Sequence, residues 1–153
     1  MGRRTSRPGQ LPLDNCSRLF CQEVNDYHAP GCVNLLPFFS MTDCLFCKII
    51  AGRVPSKKVY EDERAYAFED INPQAPTHVL IVPKQHIVDI KSATDADAEI
   101  VGYCNIVAAK IAQERGLKHG YRTVYNVGLD AGQTVLHLHL HLLGGRKMSW
   151  PPG

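Results

Sequence analysis

The chain has 153 residues, enough for one domain with a sizeable hydrophobic core. A formal net charge of +2 gives no electrostatic reason to expect a nucleic acid or a membrane surface as partner. No apolar run approaches the length that spans a bilayer. We therefore expect a globular protein with neither kind of partner.

Residues 1–40 lack the regular hydrophobic pattern of the remaining chain. Arginines stand there among prolines and glycines, and no helical or strand period persists. Three interpretations are open: a disordered tail, an organelle-targeting presequence, or translated sequence upstream of a start at Met41. Several acidic residues argue against a presequence. We interpret residues 1–40 as a disordered or artefactual N-terminal extension and residues 41–153 as the folded domain.

The sequence of the first half of that domain predicts one short helix and three strands. The helix is predicted from a cap at Thr42 or Asp43 to Ile50, because Gly52 ends it. Two short strands, 59–61 and 65–69, flank a turn at 62–64. Residues 79–82 are apolar and β-branched, which predicts a buried strand that Pro83 terminates.

A long helix and two further strands follow. Thr94 or Asp95 begins the helix and Gly116 closes it. Its apolar stripe consists of Ile100, Val101, Cys104, Val107, Ala108 and Ile111. The last strands are predicted at 123–127 and 136–143. Together these elements predict an α+β fold, with an antiparallel sheet of about five strands, one long helix on one face and one short helix.

Histidine alternates with leucine in the last predicted strand, at positions 137, 139 and 141. Successive side chains of a strand point to opposite faces, so His137, His139 and His141 share one face, about 7 Å apart. Each could be a structural imidazole with a satisfied hydrogen bond. Three in strict alternation favour a site for nucleophilic chemistry, metal binding, or both.

Two cysteines, Cys44 and Cys47, stand at the start of the short helix in the spacing Cys-x-x-Cys. Buried thiols and a redox pair are alternatives, but the spacing also suits two of the four ligands of a zinc ion. The others would come from His78, His86 or the strand histidines. No apolar signal-peptide core precedes the six cysteines, which predicts a reducing, cytoplasmic compartment.

Three further groups consist of residue types that are common in turns, but their polar groups could also contact a ligand. Asp70 follows a strand, and its carboxylate could accept from sugar hydroxyls. Asn126 and the segment Gly132-Gln133-Thr134 offer amide and hydroxyl donors beside the histidines. The glycine lets backbone N–H groups approach an anion closely.

Several segments in the right order resemble the histidine triad (HIT) family, in its purine nucleoside phosphoramidase branch. The defining motif His-x-His-x-His-x-x is matched by the segment that begins at Gly132 and ends at Leu143. Further similar segments are Asp43–Ile50, Ala67–His78, Val82–Ile87 and Gly144–Gly153. The resemblance covers about residues 42–153 and implies a HIT domain there.

The resemblance implies a homodimer whose two sheets join into one, and cleavage of the phosphorus–nitrogen bond of an AMP-amine. His139 would be the nucleophile, flanked by His137 and His141, with His78 completing the site. Asp70 would bind the ribose hydroxyls. Phosphate or the departing amine would contact Asn126, Gln133 and Thr134, and Trp150 would shape the site of the partner subunit.

Two details distinguish this chain within that branch. Serine is common where Thr134 stands, so the hydroxyl is kept while an added methyl stiffens it. Members with the Cys-x-x-Cys pair bind zinc, and the resemblance assigns the ion a structural role. The ligands would be Cys44, Cys47, His86 and His137.

The chemistry is a hypothesis in which one nitrogen of His139 donates to a carbonyl and the other attacks the α-phosphorus. Backbone N–H groups around Gln133 and Thr134 would stabilise the phosphate oxygens, with the Thr134 hydroxyl as a proton relay to the amine. A purine could lie among the apolar residues Phe46, Ile49, Phe68 and Ile71. Alternatives are a dinucleoside polyphosphate hydrolase, a non-catalytic nucleotide-binding or scaffold protein, and a zinc module without catalysis.

Overall fold

A five-stranded antiparallel sheet carries a long helix on one face in the computed structural model, which describes residues 43–152. The elements are α1 (Leu45–Ile50), β1 (Lys58–Glu61), β2 (Ala65–Glu69), β3 (Thr77–Pro83), α2 (Ala98–Glu114), β4 (Tyr121–Tyr125) and β5 (Leu140–Gly144). The strand order is β1-β2-β3-β5-β4. The predicted α+β class is confirmed. The extension predicted at residues 1–40 and the Thr42 cap lie outside the described residues.

The two faces of the sheet bury different sets of side chains. Residues of β2, β3 and β5 that point to one face pack beneath α2; they are Ala65, Ala67, Val79, Ile81, Leu140 and Leu142. On the opposite face, Phe46 and Ile49 of α1 pack against Tyr66, Phe68, Leu80 and Val82. Because β2 and β3 are covered on both faces, their sequences are apolar without alternation. β5 does alternate: Leu140 and Leu142 face α2, so His141 faces the side of α1.

The predicted strand at 136–143 is too long, because the ladder of β5 begins only at Leu140. His137 N–H donates to the carbonyl of Val135 at 2.8 Å, and Leu138 N–H donates to that of Ile87 at 2.6 Å. These bonds hold the preceding residues outside the sheet. His137 and His139 therefore precede the strand, and His141 alone of the three lies on it.

Other element boundaries also shift by a few residues. β4 spans Tyr121–Tyr125 instead of 123–127, and Pro83 is the last residue of β3. A 3₁₀ turn at Asp95–Asp97 precedes α2. Gly116 ends the long helix with φ +67° as expected. Neither α1 nor α2 combines the length and apolar character that crossing a bilayer requires.

Asp62 ties the turn between β1 and β2 to the long helix. Its carboxylate accepts from the backbone N–H groups of Arg64 and Ala65, both at 2.8 Å, and from the Tyr60 hydroxyl at 2.7 Å. The hydroxyl of Tyr103, on α2, also donates to it. Burial alone would raise the pKa of Asp62, but the bonds from the two tyrosines and the backbone hold it below the usual range.

Replacing this carboxylate should weaken the fold. We expect Asp62→Ala to lower the free energy of unfolding by about 2 kcal/mol, because several hydrogen bonds to one charged acceptor are lost together. Urea denaturation at pH 7 measures the change. Glu63→Ala, next to it on the same exposed turn, is the matched control and should change stability by less than about 0.5 kcal/mol. Equal effects of the two substitutions would contradict the role given to Asp62.

Candidate active site

Three histidines cluster on the sheet face opposite α2. His78 comes from β3 and His141 from the facing strand β5, where Leu80 is the cross-strand partner of His141. The ring centroids of His139 and His141 lie 5.0 Å apart, and those of His78 and His141 lie 5.2 Å apart. His78 and His139 are only 4% and 6% exposed. The structure thus brings together three of the four histidines predicted to be catalytic.

The protonation of His139 is fixed by the backbone. Its Nδ1–H donates to the carbonyl oxygen of His137 at 2.6 Å. A neutral imidazole carries one proton, so the Nε2 of His139 keeps its lone pair. Burial lowers the pKa of His139, which favours this neutral form. His139 therefore presents an unprotonated ring nitrogen, the form in which imidazole acts as a nucleophile.

The opposite tautomer follows for His141 from a chain of two hydrogen bonds. The backbone N–H of Gln74 donates to Nδ1 of His78 at 3.1 Å, so the proton of His78 is on Nε2. That Nε2–H donates to Nδ1 of His141 at 2.9 Å, which leaves His141 protonated on its own Nε2. The amide of Asn126, 3.5 Å from this atom, is too distant to decide the tautomer.

Asp70 lies beside the histidine pair, at the end of β2. One carboxylate oxygen accepts from the backbone N–H of Asn72 at 2.8 Å, and the other lies 3.4 Å from Nε2 of His78. Asp70, His78 and His141 are close enough to suggest a metal site. A metal on Nε2 of His78 would require a proton on Nδ1, which faces the N–H of Gln74. The arrangement therefore fits hydrogen bonding, not metal binding.

A cavity of about 240 Å³ adjoins Asp70 and is lined by Ile49, Phe68 and Ile71, three of the residues predicted to hold a base. Pro55, Ser56 and Lys57, from the loop after α1, also line it and were not predicted, because no motif marks them. Phe46 lies deeper: its ring contacts Phe68 and the rings of His137 and His139. It supports the cavity wall and the histidines from behind.

A larger cavity, of about 500 Å³, lies at the other end of β2 and shares no residue with the histidine cluster. Its cations are already paired: Arg64 with Glu99 at 3.0 Å and Lys84 with Glu61 at 2.9 Å. The smaller cavity is the better candidate for a ligand-binding site because it adjoins Asp70, which lies beside the histidine cluster.

The loop between β4 and β5 gives its candidates different roles. Gln133 is 2% exposed, and its side chain accepts from the N–H of Gly128 at 3.0 Å and donates to the carbonyl of Val88 at 2.8 Å. Its backbone N–H donates to the carbonyl of Gly128. These groups of Gln133 hold the loop in this structure, and the phosphate contact expected of this residue stays a prediction.

Thr134 and Gly132 remain available on that loop. Within residues 43–152, neither the hydroxyl nor the backbone N–H of Thr134 has a hydrogen-bond partner, and the residue is exposed. Gly132, two residues before Thr134, adopts φ +82°, a backbone conformation that glycine tolerates best. Trp150 is 84% exposed.

A second cluster joins α1 to the segment that carries His139 through Cys44, Cys47, His86 and His137. Nδ1 of His137 lies 3.5 Å from the Sγ of each cysteine, and Nδ1 of His86 lies 3.3 Å from that of Cys47. A tetrahedral zinc ion would hold its sulfur and nitrogen ligands about 3.6 Å apart. The spacing of these four residues fits such an ion.

The protonation of the cluster also fits a metal. His137 is fully buried, and its Nε2–H donates to the carbonyl of Pro83 at 2.9 Å, so the lone pair of Nδ1 faces the cysteines. A backbone acceptor on the distal nitrogen is typical of metal-binding histidine. Burial, with Cys44 nearby, raises the pKa of Cys47 to about 11, so a thiolate there needs a cation beside it.

The comparisons with known proteins agree with this geometry. A family model described as HIT domain matches residues 51–148. The 14 kDa zinc-binding protein of Zea mays is 51% identical over 111 residues, which cover 71% of this chain and 87% of the maize protein.

Two solved structures are similar in fold as well as sequence. A HIT family hydrolase of Legionella pneumophila Philadelphia 1 is 54% identical and covers 72% of this chain and all of its own, with a TM-score of 0.71. A histidine triad nucleotide-binding protein of Candida albicans is 35% identical and covers 71% of this chain and 82% of its own, with a TM-score of 0.61.

Burying these imidazoles should make the fold sensitive to acid. Burial, helped by His139 and His78, lowers the pKa of His141 to about 4, against 6.5 when it is unperturbed. Between these values the unfolded chain binds the proton and the folded one does not, so stability falls as pH falls. We expect His141 to contribute about 1 to 2 kcal/mol to the loss between pH 7 and pH 5.

The variant His141→Asn removes the titrating group and keeps a side chain that accepts from His78. Its free energy of unfolding, measured by urea denaturation, should depend less steeply on pH between 7 and 5 than that of the unmodified protein. Parallel pH profiles would contradict the proposed burial of a neutral His141.

Proposed function

The chain belongs to the HIT domain family, and from this premise we propose that it hydrolyses the P–N bond of purine nucleoside 5′-phosphoramidates. The observation that carries the proposal is the pair of opposite tautomers on adjacent rings. Nε2 of His139 has a lone pair, while Nε2 of His141 carries a proton. One can attack a phosphorus atom, and the other can donate to an oxygen of the same phosphate.

In the first step Nε2 of His139 attacks the α-phosphorus and the P–N bond breaks. The product is a nucleotidyl-histidine and an amine, which must receive a proton as it leaves. We assign this transfer to the free hydroxyl of Thr134, which gives its proton to the amine nitrogen and is reprotonated by solvent. Charge on the phosphate oxygens is stabilised by Nε2–H of His141 and the backbone N–H of Thr134. The carbonyl of His137 stabilises positive charge on the attacking ring.

In the second step water attacks the same phosphorus and gives up a proton to solvent, while the P–Nε2 bond breaks. This releases the nucleoside monophosphate and restores neutral His139. The base lies in the cavity lined by Ile49, Phe68 and Ile71, and Asp70 accepts from the ribose hydroxyls. Apolar walls recognise a flat ring but read little of its hydrogen-bonding pattern, which suits purines as a class. Asn126 lies at the rim of the phosphate site.

The charge of the site favours a phosphoramidate over a dinucleoside polyphosphate. The carboxylate of Asp70 lies 3.4 Å from Nε2 of His78, which contacts His141, so it adds a negative charge close to the histidine cluster. A phosphoramidate brings one negative charge into this surrounding, whereas a polyphosphate brings several, each repelled by the carboxylate.

We further propose that the Cys44, Cys47, His86 and His137 cluster binds zinc in a structural role. Four protein ligands close a tetrahedral ion and leave no position for substrate. The ion would tie α1, which carries Ile49 of the base cavity, to the segment that carries His139. The maize relative is named a zinc-binding protein.

A homodimer and a cytoplasmic location complete the proposal. β4 is at an edge of the sheet, so its outer hydrogen-bonding groups can pair with those of a second copy. Exposed Ile106 on α2 and Tyr121 on β4 would be covered in such a pair. Trp150 would then act at the site of the other subunit. Free thiols at Cys44 and Cys47 fit a reducing compartment.

The proposed activity is tested by hydrolysis of a fluorogenic adenosine 5′-phosphoramidate. We expect His139→Ala to reduce kcat/KM by at least about 1,000-fold, since the covalent route needs this nucleophile. His119→Ala, at an exposed histidine in the loop after α2, is the matched control and should keep full activity.

Diadenosine tetraphosphate, tested at the same concentration, separates the two hydrolase classes, and we expect the phosphoramidate to be cleaved faster. A chiral phosphorus should retain its configuration, because each of the two displacements inverts it. Equal activity of His139→Ala and the unmodified protein would contradict the proposed phosphoramidase reaction at His139. A nucleotide-binding or scaffold role would then be favoured.

The zinc proposal is tested by metal analysis of purified protein after dialysis against a mild chelator. We expect about one zinc per chain, lost in Cys47→Ala together with a fall in Tm of at least about 5 °C. Cys104→Ala, at a buried cysteine of α2, controls for loss of a thiol and should retain the metal. Zinc retained by Cys47→Ala would exclude this cluster as the binding site.

A further inference from the structure

The chain that leaves β5 lies against the loop that precedes β3. Gly144 is the last Cα partner in that ladder, opposite Thr77. Gly145 follows with φ +84°, a conformation that favours glycine, and a Cβ added there would lie 3.0 Å from Cβ of Pro76. Gly145 thus permits the turn and the close approach that bring Arg146 to the loop.

Arg146 binds the residue that fixes the tautomer of His78. Its Nε–H donates to the carbonyl of Gln74 at 3.1 Å, while the N–H of Gln74 donates to Nδ1 of His78, also at 3.1 Å. The side-chain amide of Gln74 donates to the carbonyl of Asn72 at 2.9 Å. A second nitrogen of the guanidinium donates to the carbonyl of Lys147, which restrains its orientation.

An unbroken series of hydrogen bonds therefore runs from Arg146 through Gln74 and His78 to His141. Histidine has two neutral tautomers, and its hydrogen-bond partners select between them. If Gln74 moved away, Nδ1 of His78 could take the proton. His78 would then accept at Nε2, and His141 would have to donate from Nδ1. The Nε2 of His141 would lose the proton that it directs at the phosphate.

We propose that Arg146 is a positioning residue that keeps His141 protonated on Nε2 by holding Gln74 in place. It touches neither the reacting phosphorus nor the base cavity. Its expected effect on catalysis rests on the function proposed above, whereas its effect on the tautomer does not. The hydrogen bond, not the charge, is the active feature, because the acceptor is a neutral carbonyl.

The test uses two substitutions that separate donor from charge. In Arg146→Gln, the amide nitrogen stands at the same number of bonds from the backbone as the Nε of arginine, so the donor remains. Arg146→Met has a side chain of similar reach with no donor. Lys147→Ala removes a positive charge from the next, exposed position and is the matched control.

The tautomer of His141 is read from the two ring ¹⁵N resonances of full-length ¹⁵N-histidine-labelled protein at pH 8, where protonated and unprotonated nitrogens are well separated. We expect Nε2–H in the unmodified protein, Arg146→Gln and Lys147→Ala, and a mixture of tautomers in Arg146→Met. Arg146→Met should also lower kcat for the phosphoramidate by about 3- to 10-fold at nearly unchanged KM.

An unchanged His141 tautomer in Arg146→Met would overturn the proposal, as would an equal shift in Arg146→Gln. Circular dichroism confirms that each variant is folded, which is expected because Arg146 is exposed. A shifted tautomer in a protein without phosphoramidase activity would support the role of Arg146 while rejecting the proposed reaction. The two hypotheses are thereby tested separately.

Discussion

A buried imidazole needs a hydrogen-bond partner for each ring nitrogen that water does not reach. The part of the chain that the structure describes buries three imidazoles, His78, His137 and His139. The partners are backbone groups: the N–H of Gln74, the carbonyl of Pro83 and the carbonyl of His137. Backbone groups cannot exchange donor for acceptor, so each one fixes the tautomer of the ring that it meets. The chemistry of the site follows from this constraint.

The same constraint explains why one segment serves two clusters. His137 uses its Nε2–H on Pro83 and its Nδ1 on the cysteines, while its carbonyl holds the ring of His139. A metal ion in the cysteine cluster would therefore fix the residue that positions the nucleophile. Phe46, between the two cysteines, packs on the rings of both His137 and His139. The proposed structural and catalytic sites are neighbours through shared residues.

Local sequence patterns predict the helices and strands that hold the site. They do not predict exactly where each of these elements begins and ends. The leucines at 138, 140 and 142 alternate with histidines, and all three are buried, as an extended chain predicts. Only the end of this run nevertheless pairs within the sheet, because the N–H of Leu138 donates to the carbonyl of Ile87, a residue distant in sequence. A strand boundary depends on which partner strand is within reach, and a single segment does not encode that.

The sequence by itself determined the class of fold and the closeness of Cys44 and Cys47 at the start of α1, because these depend on periodicity and short spacing. It also marked Asp70 and Thr134 as candidate ligand contacts. Only the tertiary structure shows the contacts of Gln133 with Val88 and of Arg146 with Gln74, which no local pattern signals. It also decided the tautomers, since a proton's place on an imidazole is set by groups that folding brings to the ring.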